Sequence, residues 1–241
     1  MSTTDEIVFY GDPHGSYGGI RRILSEGAPG MVVFLGDMDL DEPFHEVVKP
    51  LLDAGTDVRF IHGNHDTDRE QWHDNLFESE LADRNLSSKV IEFRGVRIAG
   101  LGGVFRQKVW HPKDGEGKPV YTSRRDFMRS HKGQSWRGGL PRGQRSTIFP
   151  EDLDQLADLR ADILVSHEAP SCHRYGFEEI DLIAQVMGCH TVIHGHHHER
   201  SRGMVGNIRV IGLDKAEILR VDIALLAEAD WEDRMTARIT P

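Results

Sequence analysis

The sequence predicts an α/β fold, and three of its features lead to this prediction. Short apolar runs typical of buried strands alternate along the chain with segments of helical apolar spacing. Five of these runs are followed within two residues by Asp or His, polar residues that indicate a loop leaving the strand. The chain has 241 residues, 38% hydrophobic and 28% charged, and a single α/β domain commonly reaches this length.

The first half of the chain contains three predicted strand and helix pairs and then a hairpin. The pairs are a strand over 7–10 and a helix over 17–27, a strand over 31–35 and a helix over 43–55, and a strand over 58–61 and a looser helix over 68–83. Gly27 suits a helix C-cap, and Pro43 suits a first helical position. Two apolar runs split by Arg94-Gly95 predict a β-hairpin over 90–101.

The second half continues the alternation. Its patterns predict a helix over 150–159, a strand over 163–165, a helix over 177–187, and strands over 191–193, 208–213 and 216–223. Pro150 opens the first of these helices, and Gly188 closes the second. We therefore expect a single domain over residues 1–226, followed by an acidic C-terminal tail over 227–241.

The segment Arg106–Arg145 differs from the rest of the chain. It holds 11 Lys and Arg against 3 Asp and Glu, has six glycines and shows no clear period. One interpretation is a long solvated insertion that is partly disordered. The other is a basic lid over an anionic substrate, because long loops in compact domains are often functional.

Composition excludes several classes of protein. The net charge of −10 argues against non-specific binding to nucleic acid or to membranes. Two cysteines, Cys172 and Cys189, are too few for a disulfide framework. No apolar run approaches the roughly 20 residues that a bilayer span needs, and acidic residues stand where a signal peptide would be basic and then apolar. We expect a cytoplasmic protein that acts without a membrane.

Polar strings rich in Asp, Asn and His follow five of the predicted strands. The chain has 14 histidines, and several of them belong to these strings. Ligands of open α/β sheets bind beyond the carboxyl ends of the strands, so we expect all five strings at one rim. They are Asp12-Pro13-His14, Asp37, Asn64-His65-Asp66, His167 and His196-His197-His198.

The composition of these strings predicts a metal site. Two Asp, four or five His and one Asn form a mixed nitrogen and oxygen ligand set without a thiolate. Such a set suits Mn, Fe, Zn or Co better than Ca or a cysteine-bound structural zinc. It is too large for one ion with an open position, whereas two ions that share a bridging carboxylate would use it.

In order and spacing, the strings resemble the motifs of the calcineurin-like metallophosphoesterase superfamily. The resemblance runs from about Ile7 to His198. It implies a four-layer α-β-β-α sandwich, in which helices flank two sheets and a dinuclear metal centre lies at the strand ends. The strings that carry it are Gly11-Asp12-Pro13-His14-Gly15, Gly36-Asp37, Gly63-Asn64-His65-Asp66, Ser166-His167-Glu168 and Gly195-His196-His197-His198.

By motif position, the resemblance assigns seven residues to two divalent or trivalent metal ions, with Mn favoured over Fe, Zn and Co. The ligands of the first ion would be Asp12, His14 and His198. The ligands of the second ion would be Asn64, His167 and His196, and Asp37 would bridge both ions. A hydroxide activated between the ions would attack phosphorus in line.

Two further residues receive catalytic roles from the same resemblance. His65 corresponds to the catalytic histidine, which would stabilise developing charge or protonate the leaving oxygen. Asp66 is expected to orient His65, since carboxylates beside a catalytic site commonly do so. Arg106 and Arg174 follow motif strands and are candidates to bind the substrate phosphate.

The resemblance leaves the substrate open. The opening motif is similar to that of the serine/threonine phosphatase branch, but the string Gly36-Asp37-Met38-Asp39-Leu40-Asp41 lacks the phosphate-binding arginine of that branch. The third motif ends in Asp66, as in many cyclic-nucleotide phosphodiesterases. We expect a phosphomonoesterase, in which the basic insertion holds a doubly charged terminal phosphate. A phosphodiesterase acting on cyclic or linear nucleotides is the alternative.

Two other functions are less favoured. A DNA nuclease would need a basic face, whereas the protein is acidic overall. A non-catalytic scaffold typically loses metal ligands, whereas this chain keeps all seven together with His65. The expected partner is therefore a small phosphorylated substrate or nucleotide rather than nucleic acid.

Overall fold

The structure is a computed structural model that describes residues 3–225. The predicted acidic tail over 227–241 lies outside this range. The strands are β1 (Thr3–Tyr10), β2 (Pro29–Phe34), β3 (Asp57–Phe60), β4 (Lys89–Phe93), β5 (Val96–Leu101), β6 (Ile163–Ser166), β7 (Thr191–His194), β8 (Ser201–Val205), β9 (Ile208–Gly212) and β10 (Ile218–Asp222). The α-helices are α1 (Gly18–Glu26), α2 (Phe44–Val47), α3 (Lys49–Asp53), α4 (Glu70–Phe77), α5 (Arg124–Ser130), α6 (Pro150–Ala157) and α7 (Glu178–Met187).

The strands form two sheets. The first sheet has the order β10-β1-β2-β3, and the second has the order β4-β5-β6-β7-β9-β8. Strands β1, β2 and β3 are parallel to one another, as are β5, β6, β7 and β9. The antiparallel strands β10, β4 and β8 pair with β1, β5 and β9. The central strands are therefore parallel in both sheets, which brings their carboxyl ends to a common edge.

Three buried apolar clusters separate four layers. Strand β1 shows how alternation builds two of them, because successive side chains of a strand point to opposite faces. Ile7 and Phe9 pack between the two sheets, whereas Val8 and Tyr10 pack against the helices that cover the first sheet. The third cluster lies between the second sheet and helices α5, α6 and α7. The predicted α-β-β-α sandwich is confirmed.

Some predicted elements differ in extent. The helix predicted over 43–55 is two short helices, because Pro50 has no N–H to donate to the carbonyl of Glu46. The helix predicted over 68–83 shortens to α4, with 3₁₀ turns at His65–Thr67 and Ala82–Arg84. Strand β8 was not predicted, because its few apolar residues carry little signal and its pairing with β9 forms it.

The basic segment 106–145 is folded onto the second sheet. It contains α5, and its Val109 and Phe127 are fully buried in the cluster that also holds Phe149. Arg124 joins the segment to α6 through ion pairs with Glu151 and Asp152. The interpretation as a solvated, partly disordered insertion is therefore not supported.

The helices are also short. Among those within residues 3–225, none combines the length and the apolar composition needed to cross a membrane.

Candidate metal centre

The seven predicted ligands lie together at one rim of the two sheets. They stand on the loops that follow β1, β2 and β3 in the first sheet and β6 and β7 in the second. The parallel topology thus brings together successive strings that are up to 103 residues apart in the sequence. The seven are Asp12, His14, Asp37, Asn64, His167, His196 and His198.

Four of these residues form a first group of ligand atoms. One atom each from Asp12, His14, Asp37 and His198 lies within 4.8 Å of all the others. The Nε2 atoms of His14 and His198 are 2.9 Å apart, and His198 Nε2 is 3.4 Å from Asp12 Oδ2. His14 Nε2 is 3.7 Å from Asp37 Oδ2. These atoms converge closely enough to hold one cation.

A second group uses Asp37 again, together with His167 and His196. The distance from His167 Nε2 to Asp37 Oδ2 is 3.3 Å, and Asn64 Oδ1 is 3.2 Å from the same nitrogen. Asp37 is the residue that the two groups share. Its central place is the geometry that a bridging carboxylate requires.

Hydrogen bonds on the far side of two histidine rings orient their ligating nitrogens. His167 Nδ1 donates to the carbonyl of Leu35 at 2.8 Å, and His14 Nδ1 lies 2.9 Å from the Asp39 carboxylate. With Nδ1 bonded in this way, Nε2 is the nitrogen left with a lone pair. Such outer partners fix the tautomer and the direction of a metal-binding histidine.

The backbone at the site is strained. Four of the predicted ligands adopt left-handed conformations, with φ of 42° at His14, 52° at Asp37, 70° at His196 and 49° at His198. Such conformations cost of order 1–3 kcal/mol each and are found where surrounding structure enforces them, notably at functional sites.

Two glycines allow the loops to approach the ligands. A Cβ atom at Gly63 would lie 2.2 Å from Asp37 Oδ1, and one at Gly195 would lie 2.1 Å from Asp12 Oδ1. Both distances are far inside van der Waals contact, so a side chain at either position would displace a carboxylate. Close packing therefore explains why glycine precedes both Asn64 and His196.

The buried charges of the site favour a cation. Asp12 and Asp37 are at most 1% exposed, and Asp12 Oδ1 is buried without a hydrogen-bond partner. Burial lowers the pKa of His167, but the charge and hydrogen bond of Asp37, together with the Asp12 charge and the Leu35 carbonyl, outweigh burial and raise that pKa to about 10. Bound cations would take the place of such protons, since a ligating histidine must be neutral. The donor set therefore fits metal ions.

His65 lies beside the first ligand group. Its backbone N–H donates to Asp37 Oδ1 at 2.8 Å, and its ring centroid is 5.4 Å from that of His14. The ring is held by Asp68, whose Oδ2 is 2.7 Å from His65 Nδ1. The expectation that Asp66 orients His65 is thus wrong. Sequence reasoning missed Asp68, although its place three residues after His65 in a turn was a usable signal.

Asp66 has a different task. Its buried carboxylate accepts hydrogen bonds from the N–H groups of Gly63, Met38 and Asp37, at 2.7, 2.7 and 3.0 Å. These bonds tie the loop after β3 to the loop after β2. Burial, reinforced by the Asp37 charge, raises the pKa of Asp66 to about 7. Asp66 therefore supports the ligand loops and does not contact the His65 ring.

The two predicted phosphate-binding arginines have different surroundings. Arg106 Nη2 donates to Ser146 Oγ at 3.2 Å, and Ser146 Oγ donates to the carbonyl of Asn64 at 3.4 Å. Arg106 is thereby brought to the edge of the ligand loops. Arg174 is exposed, and its guanidinium lies 4.5 Å from the centroid of the Tyr175 ring.

A third group of potential ligands lies elsewhere, on and just after α4. It consists of His73, Asp74 and Glu78. Arg137 donates to the carboxylates of Asp74 and Glu78 at 2.6 and 2.8 Å. A guanidinium already neutralises this group, so it does not resemble the site at the rim.

Comparisons with known proteins agree with this geometry. Residues 6–200 match the family model of the calcineurin-like phosphoesterases. An uncharacterized protein of Haemophilus influenzae is 41% identical over 194 residues, which are 80% of this chain and 83% of that protein. The crystal structure of TT1561 of Thermus thermophilus matches with a TM-score of 0.56, over 91% of this chain and 99% of that one. The sequence identity is 13%, so this match shows a similarity of fold alone. The chain belongs to the calcineurin-like phosphoesterase family and is a phosphoric ester hydrolase.

Proposed function

We propose that the protein is a phosphomonoesterase that uses two metal ions and acts on a small phosphorylated substrate. The observation that carries the proposal is the pair of ligand groups that share Asp37. Two bound cations, with Mn²⁺ favoured for this nitrogen and oxygen ligand set, would act as Lewis acids and activate a water. In this proposal Asp12, His14 and His198 hold one ion. Asn64, His167 and His196 hold the other, and Asp37 bridges them.

His65 is proposed as the catalytic residue that handles the leaving group. Since Nδ1 is engaged by the Asp68 carboxylate, Nε2 is the nitrogen that would act on the substrate. The side chain is 45% exposed, so a substrate bound at the ions can reach it. A proton on Nε2 would pass to the leaving oxygen as its bond to phosphorus breaks, which is the usual contribution of a general acid.

Arg106 supports the preference for a monoester. A terminal phosphate carries one more charged oxygen than a diester, and a guanidinium can bind it bidentately. Arg106 is partly buried beside Ser146, and burial lowers the pKa of its guanidinium. A charge held in such surroundings interacts with an anion more strongly than an exposed one. Arg174 would reach only a larger substrate that extends to Tyr175.

A phosphodiesterase acting on nucleotides is the second candidate, and an aromatic surface favours it. Tyr175 is 54% exposed and its ring lies 5.7 Å from His197, which in turn lies 4.8 Å from His196. Exposed aromatic rings beside a phosphate site suit the stacking of a nucleobase.

We also propose that the enzyme acts in the cytoplasm and not on nucleic acid. Cys172 and Cys189 are both free thiols, as expected of a reducing compartment. Two arginines of the basic segment, Arg124 and Arg137, are paired with carboxylates outside that segment. Less positive charge is therefore available to bind a phosphate backbone.

The test compares p-nitrophenyl phosphate with bis-p-nitrophenyl phosphate, using protein loaded with Mn²⁺ and an EDTA-treated control. We expect faster hydrolysis of the monoester, abolished by EDTA. Faster hydrolysis of the diester would overturn the monoesterase proposal and support the second candidate. Hydrolysis that survives EDTA would contradict both.

A matched pair of variants tests Arg106. Arg106→Ala should raise the KM for the monoester more than the KM for the diester, because only the monoester offers the additional charged oxygen. Arg174→Ala should change neither. Equal effects of the two substitutions would remove Arg106 from the proposed substrate site.

A further inference from the structure

The basic segment contacts the turn that carries His65. Arg142 Nε donates to the carbonyl of Thr67 at 3.1 Å, and Arg142 Nη2 donates to the carbonyl of Asp68 at 3.0 Å. Both carbonyls belong to the short turn that begins at His65. One guanidinium thus clamps the backbone immediately after the proposed catalytic histidine.

Residues 136–145, here called the latch segment, are themselves anchored to α4 and to the residue after it. The Arg137 guanidinium binds the carboxylates of Glu70, Asp74 and Glu78 at 2.5 to 2.8 Å. The Trp136 ring lies 4.4 Å from the Arg137 guanidinium carbon and 4.6 Å from that of Arg145. The latch segment is thereby held to the helix that directly follows the His65 turn.

A second ring contact and a hydrogen bond complete this anchor. His73 of α4 packs its ring edge-on against Trp136, with centroids 4.8 Å apart. Arg145 Nη1 lies 3.2 Å from His73 Nε2, and Arg145 Nη2 donates to the carbonyl of Trp136 at 3.0 Å. These contacts join the two ends of the latch segment to each other and to α4. Arg142, which lies between those ends, is therefore held in place relative to α4.

The pair formed by His65 and Asp68 needs such support. The side chains are 45% and 50% exposed, and an exposed ion pair contributes little to holding two side chains in one geometry. A single 3₁₀ turn has poor hydrogen-bond geometry and is not rigid by itself. The orientation of the His65 ring therefore depends on how firmly the backbone of Thr67 and Asp68 is held.

We infer that the latch segment positions the catalytic histidine. Arg142 is a positioning residue that holds the Thr67–Asp68 backbone, and Asp68 is a positioning residue that fixes the His65 ring through Nδ1. The inference rests on the proposed function, in which His65 acts on the leaving group. It gives the basic segment a role that neither a solvated loop nor a substrate lid describes.

The kinetic test uses Arg142→Ala and Arg142→Lys, each made in the wild-type background and in His65→Asn. The control is Arg129→Ala, which removes an exposed arginine of the same segment whose ion pair with Asp126 is local to α5. With the faster of the two p-nitrophenyl esters, Arg142→Ala should lower kcat roughly 10-fold or more and leave KM within twofold. Arg142→Lys should recover part of the loss, and Arg129→Ala should match wild type.

The His65→Asn background separates positioning from general destabilisation. If Arg142 acts through His65, Arg142→Ala should cause no further loss there, because the two substitutions affect one function. The same fold-loss in both backgrounds would overturn the inference. Metal content, measured by elemental analysis, should be unchanged by Arg142→Ala, and a loss of metal would also overturn it.

A spectroscopic readout does not depend on turnover. In the wild type, nitrogen-15 NMR of the neutral His65 ring should show one tautomer with the proton on Nδ1, since the Asp68 carboxylate can only accept. The general acid of the proposed reaction is the imidazolium, which keeps this proton and carries a second one on Nε2. Asp68→Asn and Arg142→Ala should both give a mixture of tautomers, and an unchanged spectrum in Arg142→Ala would contradict the inference. If the wild type bound two ions but hydrolysed neither ester, the proposed function would fail while the NMR result still decided the positioning role.

Discussion

Asp37 is the residue on which both ligand groups depend. Asp37→Asn keeps the size of the side chain but leaves one oxygen and no charge to serve two ions. We expect lower occupancy of both sites, because a neutral amide cannot bridge two cations. Elemental analysis after dialysis measures this, with the exposed Asp41→Asn as control. Two ions per chain in Asp37→Asn would contradict the bridging role.

His65 is predicted to act in turnover and not in metal binding. His65→Ala should leave the metal content at the wild-type level and lower kcat by roughly 10²–10⁴-fold, the scale of general acid–base catalysis. The control is His190→Ala, an exposed histidine just before β7, at the end of that strand remote from the ligand loop. An unchanged kcat in His65→Ala would exclude His65 from the reaction.

The loops at the strand ends hold the predicted metal ligands in tight contact with one another. The loop after β3 passes so close to Asp37 and His167 that Gly63→Ala would bring Cβ within 2.5 Å of both side chains. We expect this single methyl group to reduce metal binding, because the two ligands must move to accommodate it. Metal content by elemental analysis is the measurement.

The matched control for Gly63→Ala is Gly18→Ala, where a Cβ atom at the start of α1 meets nothing within 4 Å. Alanine is the better helix former, so this variant should keep its metal and lose no stability. Equal metal content in the two variants would show that the loop after β3 tolerates displacement.

The basic segment contributes to the stability of the whole molecule. Phe127→Ala should lower the free energy of unfolding by about 3–5 kcal/mol, because it empties a fully buried position next to Phe149. Val120→Ala, at a position 63% exposed in the same segment, should change it by less than about 0.5 kcal/mol. Urea unfolding at a fixed Mn²⁺ concentration compares them. Equal stability of the two variants would contradict a core role for the segment.

The charge of the segment is used within the molecule. Its local excess of positive charge meets the acidic remainder of the chain through Arg124, which pairs with Glu151 of α6, and through Arg137, which pairs with Glu70 of α4. This pairing accounts for a basic segment in a protein whose net charge is −10. Part of the positive charge of this segment is therefore engaged in folding contacts and is not available to a substrate.

The fold class, the family and the rim at which the site forms could all be predicted from the amino-acid sequence. Periodicity of apolar residues sets strands and helices locally, and strings such as Asn64-His65-Asp66 are recognisable by their position after a strand. The α-β-β-α sandwich and membership of the phosphoesterase family are confirmed on this basis. The gathering of Asp12, Asp37 and the other five predicted ligands also follows, because parallel strands end on one edge.

The side chains that support the site could not be predicted in this way, because three-dimensional packing selects them. The choice of Asp68 over Asp66 as the partner of His65 depends on where the chain turns after β3, a matter of a few dihedral angles that residue type does not encode. The contact between Arg142 and Asp68 joins positions 74 residues apart. Such partners are selected by packing between distant segments, for which one sequence carries no periodic signal.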